Sequence, residues 1–161
     1  MFSGNSFNGK RIVVAADHLG YDLKSHLVKM LESRGFTVDD YGTNSPDRCH
    51  YPEYALPAAK EVGEGRAFRG VLICGSGVGM GIIANKVMGV RAAISHHPDV
   101  AVLCREHNDA NMLCIPARYV TVAQAMKMVE DFLSTPFLED ENSAYYIRRQ
   151  MTLKIEDDTS C

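Results

Sequence analysis

Residues 71–81 place a cysteine between an apolar run and a glycine-rich loop. Cys74 ends the run, and every second position after it is glycine: Gly75, Gly77, Gly79 and Gly81. The pattern predicts a buried strand, then a loop of nearly bare backbone, then a helix. The N–H groups of such a loop can point at one place, where the positive end of the helix dipole adds to them. Because a thiol there is biased toward the thiolate, the segment predicts a site that removes a proton and stabilises the developing negative charge.

Three other interpretations of this loop compete with that one. A buried cysteine often acts only as a small hydrophobe, but that role does not require the glycines. A dinucleotide-binding loop needs G-x-G-x-x-G after the first strand, whereas this loop has Met80 at the last glycine position and follows the third predicted strand. No Gly-Lys-Ser/Thr closes the loop, so it is not a P-loop.

Polar residues also follow three other predicted strands. Asp17-His18 comes after the first strand, His96-His97 after the fourth, and Arg118 just past the fifth. Because parallel strands present their carboxyl ends at one edge of a sheet, we expect these residues to converge there with Cys74. Simpler roles remain open, since Asp17 can cap the next helix and the paired histidines can be solvated loop residues.

Composition limits the classes of function. The chain has 161 residues, of which 46% are hydrophobic and 23% are charged, as expected for one globular domain. A net charge of -3 gives no reason to expect nucleic acid or an anionic membrane as a partner. No apolar stretch approaches the roughly 18 residues that span a bilayer. The first residues lack the basic and apolar regions of a secretory signal.

The cysteines favour a reducing compartment. Their number is odd, no CxxC occurs, and the spacings are irregular: Cys49, Cys74, Cys104, Cys114 and Cys161. A disulfide framework is therefore not expected, and we predict a cytoplasmic protein. Cys104 and His107 lie three residues apart on one predicted helix, but two ligands do not make a zinc site, and we predict no metal.

Short apolar strands alternate with amphipathic helices along the chain. We predict strands at 11–16, 36–38, 71–74, 90–94 and 111–115, and helices at 21–34, 52–63, 82–86, 98–105, 121–133 and 143–156. This alternation predicts an α/β protein: a single doubly wound, Rossmann-like domain with a five-stranded parallel sheet and helices on both faces. We assign residues 1–10 to a disordered N-terminal extension, 11–157 to the domain and 158–161 to a frayed tail.

Seven motifs occur in a characteristic order: Ala16-Asp17-His18, Asp40-Tyr41-Gly42-Thr43, Tyr51-Pro52, Cys74-Gly75-Ser76-Gly77-Val78-Gly79, Ala84-Asn85-Lys86-Val87, Gly89-Val90-Arg91-Ala92 and Arg105-Glu106-His107-Asn108-Asp109-Ala110-Asn111. Together they resemble type B ribose-5-phosphate isomerase, in a sugar-phosphate isomerase family that also includes galactose-6-phosphate isomerase subunits. The resemblance covers roughly residues 11–137. The pairing of the cysteine–glycine loop with the R-x-H-N-D-A-N segment is its most specific part.

The resemblance implies roles for individual residues. Cys74 would be the base that moves a proton between C2 and C1 of the open-chain sugar, and His107 would open the furanose ring. The loop backbone would stabilise the enediolate: Gly75, Ser76, Gly77, Val78 and Gly79. Other residues would line the sugar site or contact the phosphate: Asp17, His18, Tyr51, Asn108 and Arg118. The resemblance also implies a homodimer or tetramer with sites shared between subunits, and no cofactor.

One segment departs from the family pattern. The family carries R-H-x-x-R shortly after T-P-F/W, but counting without gaps from Thr135-Pro136-Phe137 places no arginine at either position. A short insertion would let Arg148 or Arg149 replace the second arginine, and we assign Arg148 to the substrate site. The first arginine would remain missing.

The sequence therefore predicts an isomerase that interconverts D-ribose 5-phosphate and D-ribulose 5-phosphate in the non-oxidative pentose phosphate pathway. One alternative is an isomerase of a six-carbon sugar phosphate, such as allose or galactose 6-phosphate, because the C-terminal segment is altered. A second is a catalytically silent sugar-phosphate-binding module, against which the intact Cys74 and His107 argue.

Overall fold

A computed structural model describes residues 9–158, with side chains through residue 156. Residues 1–8 of the expected extension and 159–161 of the expected tail lie outside the described residues. Gly9 and Lys10, which the sequence also placed in the extension, contact the rest of the chain. The Gly9 N–H donates to the Gly35 carbonyl at 2.9 Å, and Lys10 Nζ lies 4.0 Å from the centre of the Phe68 ring. These two residues therefore belong to the folded domain.

The described chain forms five strands and six helices. The strands are β1 (Arg11–Ala16), β2 (Thr37–Asp40), β3 (Arg69–Cys74), β4 (Ala92–Ile94) and β5 (Met112–Pro116). The helices are α1 (Tyr21–Ser33), α2 (Pro52–Gly63), α3 (Val78–Ala84), α4 (Pro98–Asn108), α5 (Val122–Ser134) and α6 (Ala144–Asp158). The strands make one parallel sheet in the order β2-β1-β3-β5-β4.

Successive side chains of each central strand point to opposite faces of the sheet, which divides the core into two layers. In β1, Ile12 and Val14 join a cluster with α1, α4 and α5, whereas Val13 and Ala15 join a cluster with α2 and α3 on the opposite face. Successive side chains of a strand point to opposite faces, and both faces are covered, so the central strands are apolar throughout. The predicted doubly wound α/β fold is confirmed.

Element boundaries differ from the predictions mainly around the glycine loop and α4. The helix after the loop begins at Val78 rather than Ile82, and α4 continues past Arg105 to Asn108. Asp109 then ends α4 in the left-handed conformation, at φ 50°. The longer α4 matters for function because it carries His107 in its last turn.

The last helix lies outside the two-layer core and packs on α4. Ser143 Oγ accepts from the Tyr146 N–H at 3.1 Å at its beginning. Near its other end, Glu156 Oε1 accepts from the Gly89 N–H at 3.1 Å. The first contact is local to the beginning of α6, whereas the second attaches the helix to the turn before β4.

Candidate active site

Cys74 lies at the carboxyl end of the central strand β3, where the glycine loop begins. Its Sγ accepts a hydrogen bond from the Gly77 N–H at 3.1 Å. Gly77 has φ +73°, a left-handed conformation that side chains rarely adopt, and it immediately precedes α3. The N–H of Gly77, a residue in the left-handed conformation, therefore points back at the Cys74 sulfur.

Burial alone does not distinguish Cys74 from the other cysteines, since it is only 4% exposed. The other buried thiols have different surroundings. Cys104 Sγ donates to the Ala101 carbonyl at 3.3 Å, and burial raises the pKa of Cys104 to about 11. Burial and the neighbouring Cys74 raise the pKa of the Cys114 thiol still further. Both of those thiols are neutral near pH 7, whereas the Cys74 sulfur receives a backbone N–H that can stabilise negative charge.

The loop is packed between two predicted site residues. A Cβ on Gly79 would lie 2.7 Å from the Tyr51 ring, and a Cβ on Gly75 would lie 3.4 Å from Arg118 Nε. The Arg118 N–H also donates to the Gly75 carbonyl at 3.2 Å. The structure thus brings Arg118 to the Cys74 loop, as the strand ends predict, and places Tyr51, which the resemblance implied, against the same loop.

Substitution of Gly79 tests this packing. We expect Gly79→Ala to displace the Tyr51 ring and to lower turnover about 10- to 100-fold, since displacing site groups by about 1 Å has this scale of effect. Gly65→Ala is the control, because Gly65 has no neighbouring atom within 4 Å of an added Cβ, although its positive φ costs some stability. Turnover and thermal unfolding are measured for both. Equal turnover in the two variants would show that the contact with Tyr51 is dispensable.

Asp17 and His18 lie next to this loop, but both have structural partners. Asp17 is 6% exposed, and its Oδ1 accepts from the N–H groups of Leu19 and Gly20 at 2.9 and 3.1 Å. His18 Nδ1 accepts from the Cys49 N–H at 3.4 Å. Asp17 therefore holds the turn before α1, but the simpler prediction that it caps this helix is wrong, because the N-cap of α1 is Gly20 and no side chain caps it. The contact between Cys49 and His18 has no signal in the sequence, because a single cysteine in an irregular loop carries none.

His107, Asn108 and Arg148 lie apart from Cys74 in this chain. They line a cavity of about 440 Å³ between the end of α4, the face of α6 and β4. Because α4 runs back between two parallel strands, His107 lies at the amino end of β5, while Cys74 pairs with Pro116 at its carboxyl end. Five residues of strand separate those two ends by about 13 Å.

Asp109 connects this second cluster to α6. Its carboxylate pairs with Arg91 at 3.0 Å, Arg105 at 2.9 Å and Arg149 at 2.8 Å. Burial acts to raise the pKa of Asp109, but the hydrogen bond from Arg149 and the charges of the arginines outweigh it and lower that pKa. Both arginines line the cavity, but Arg149 is engaged by Asp109, whereas Arg148 is exposed. Of the two arginines that could replace the family's second arginine, Arg148 is the one available to a ligand.

The other polar candidates have no arrangement suited to a metal. His97 Nδ1 accepts from the Asp99 N–H at 3.3 Å and caps α4. Within residues 9–158, no three His, Cys, Asp or Glu side chains are grouped as metal ligands would be. In the same part of the chain, no helix combines the length and apolar character that crossing a bilayer requires.

Comparison with known proteins covers nearly the whole domain. A family model described as Ribose/Galactose Isomerase matches residues 12–149. Ribose-5-phosphate isomerase B of Escherichia coli is 41% identical over 128 residues, which are 80% of this chain and 86% of that protein.

Solved structures agree with the match in sequence. Ribose-5-phosphate isomerase B of Clostridium thermocellum superposes with a TM-score of 0.87 at 37% identity, over 93% of this chain and 99% of that one. The enzyme of the same name from Mycoplasma genitalium, solved with bound ribulose 5-phosphate, gives 0.87 at 35% identity, over 94% and 99%.

Proposed function

We propose that this chain, which belongs to the Ribose/Galactose Isomerase family, interconverts D-ribose 5-phosphate and D-ribulose 5-phosphate. The observation that carries the proposal is the Cys74 thiol at a strand end, with the Gly77 N–H directed at its sulfur. The relatives named ribose-5-phosphate isomerase B support the choice of substrate.

Aldose–ketose exchange requires a base and a group of donors in one place. In the proposed reaction, the Cys74 thiolate removes the C2 proton of the open-chain aldose and returns it to C1, while the hydroxyl proton of O2 moves to O1. The enediolate carries negative charge on its oxygens between these steps, and the amides of residues 75–79 stabilise it. A positioned base contributes about 10²–10⁴-fold and one oxyanion donor about 10²–10³-fold.

Ring opening and phosphate binding are assigned to the other residues of the site. We assign His107 to ring opening, Asn108 to the sugar, and Arg118 and Arg148 to the phosphate. Arginine forks suit a phosphate because they bind its oxygens bidentately. Tyr51 and the Asp17-His18 turn line the sugar pocket beside the loop.

These assignments require a second copy of the chain. His107 lies at the amino ends of the strands and Cys74 lies at their carboxyl ends. A single chain therefore cannot present both residues to one sugar. A two-fold axis perpendicular to the strands reverses the strand direction of the partner. The amino ends of the strands in one copy then lie beside the carboxyl ends of the strands in the other. We therefore propose a homodimer, alone or within a tetramer, whose sites combine Cys74 of one subunit with His107 of the other.

An apolar surface beside the loop supports this dimer. The edge strand β4 has only three residues and lies between α3 and α4. Large apolar side chains on these three elements are 37–51% exposed: Val78, Ile82, Ile94, Val100 and Leu103. Exposed apolar residues that extend over neighbouring elements are typical of an interface. The surface begins at the glycine loop and continues onto the helix that carries His107.

The physiological setting follows from the reaction. We place the enzyme in the non-oxidative pentose phosphate pathway, which uses this interconversion. The four described cysteines are free thiols, which supports a reducing compartment such as the cytoplasm.

A panel of substrates tests the proposed function. We expect kcat/KM for ribose 5-phosphate to exceed that for allose 6-phosphate and galactose 6-phosphate by about 10-fold or more, the scale on which a pocket discriminates one extra carbon unit. Ketose formation is followed by absorbance. Faster turnover of a six-carbon substrate would identify the chain as an isomerase of six-carbon sugar phosphates. This alternative remains because α6 offers only Arg148 to the phosphate. Binding of ribose 5-phosphate without turnover of any sugar would identify a silent binding module.

A further inference from the structure

Tyr145 of α6 lies face to face with the His107 ring. The two ring centres are 3.9 Å apart and the planes differ by 3°. A flat contact of this kind leaves the imidazole little freedom to rotate, because tilting it brings its edge into the neighbouring ring. His107 is half-buried and lines the 440 Å³ cavity, whereas Tyr145 is not among the described residues that line it.

The position of Tyr145 is itself determined by other contacts of α6. Arg149 lies four residues later, on the same side of the helix, and binds Asp109 at 2.8 Å. Asp109 is two residues after His107, so the ion pair and the ring stack join the same two segments. The Phe137 ring contacts the first turns of α6 from a second direction. Its centre lies 5.5 Å from the guanidinium carbon of Arg149 and 6.5 Å from the centre of the Tyr146 ring.

We propose that Tyr145 is a positioning residue, which acts through His107 by holding its imidazole in the orientation that ring opening requires. This inference rests on the proposed function and deepens it, because it names what orients the ring-opening group. Residues 144–149 then have two separate tasks: Tyr145 and Arg149 fix His107 and the end of α4, while Arg148 faces the cavity where a phosphate would bind. An imidazole that can rotate spends less time in the productive geometry, which lowers kcat more than it changes KM.

Nuclear magnetic resonance tests the stack without substrate. A tyrosine ring stacked on an imidazole shifts the C–H resonances of that imidazole upfield. We expect Tyr145→Ala to return the His107 resonances downfield and Tyr145→Phe to preserve their upfield position. The matched control is Tyr146→Ala, which removes the same side chain from the next position of α6 but leaves the His107 stack intact. Unmoved His107 resonances in Tyr145→Ala, or an equal movement in Tyr146→Ala, would overturn the proposal.

Kinetics then test the consequence for catalysis. With ribose 5-phosphate, we expect Tyr145→Ala to lose about 10-fold to 100-fold in kcat with little change in KM, and Tyr145→Phe to retain most of the activity. A higher KM at unchanged kcat would mean that Tyr145 binds substrate rather than positions His107, and would also overturn the proposal. An inactive wild-type protein with a normal His107 stack would instead refute the proposed function, so the two failures are distinguishable.

Discussion

Cys74→Ala is expected to fold normally and to lose nearly all isomerase turnover, by about 10²–10⁴-fold or more, because the reaction loses the base that moves the C2 proton. Removal of the sulfur also leaves the Gly77 N–H without its acceptor in the loop. We expect the rest of the loop to stay in place, since the packing of Gly79 on Tyr51 and the hydrogen bond from the Arg118 N–H to the Gly75 carbonyl do not involve the thiol. Initial rates with ribose 5-phosphate and thermal unfolding are the two measurements.

Cys114→Ala is the matched control for this variant. Cys114 is a buried thiol on the adjacent strand β5, and burial and the neighbouring Cys74 raise its pKa, so it is not available as a base near pH 7. We expect its loss to lower stability while most of the turnover remains. Full activity in Cys74→Ala would remove Cys74 from the chemistry, and equal losses in both variants would show that packing rather than proton transfer is affected.

The second large effect is the recovery of activity when two inactive variants are mixed. In the proposed homodimer, Cys74→Ala and His107→Asn each disable every site when either variant is alone. Random exchange of subunits makes about half of the dimers mixed, and in each mixed dimer one of the two sites combines an intact Cys74 with the partner's intact His107. We therefore expect about a quarter of wild-type activity from the mixture, measured after joint refolding or coexpression.

This recovery depends on the arrangement of the site and not on its residues alone. If one chain supplied both residues to the same site, every chain in the mixture would carry a defect and mixing would restore nothing. The control is a mixture of Cys74→Ala with the double variant Cys74→Ala/His107→Asn. Neither variant has Cys74, so this mixture should stay inactive. Sedimentation of the wild-type protein shows whether it is a dimer or a larger assembly.

The contacts of α6 distinguish the two arginines of the altered C-terminal segment. The sequence allows either Arg148 or Arg149 to replace the second phosphate arginine of the family, and we assign Arg148. Both line the cavity, but the structure separates them, since Arg149 pairs with Asp109 while Arg148 is exposed. We therefore expect the proposed phosphate site to use fewer arginines than the family motif provides, with a larger share of the binding assigned to Arg118 and Arg148.

The sequence alone determined the fold class and the position of the candidate catalytic loop. The period of the apolar residues identifies strands and helices locally, and their alternation permits few topologies other than a parallel sheet covered on both faces. The loop of residues 74–79 could be recognised because its cysteine and glycines are adjacent in the chain. Contacts between neighbouring residues are specified by composition and spacing, so they can be read without coordinates.

Tertiary structure alone decided at which end of the sheet each of the remaining residues lies. His107 was expected in the same active site as Cys74, but only the direction of α4 shows that it lies at the other edge of the sheet. The Asp109–Arg149 pair and the stack of His107 on Tyr145 join residues about 40 positions apart. No local pattern encodes such contacts, because they depend on how α6 packs on α4 after the whole chain has folded.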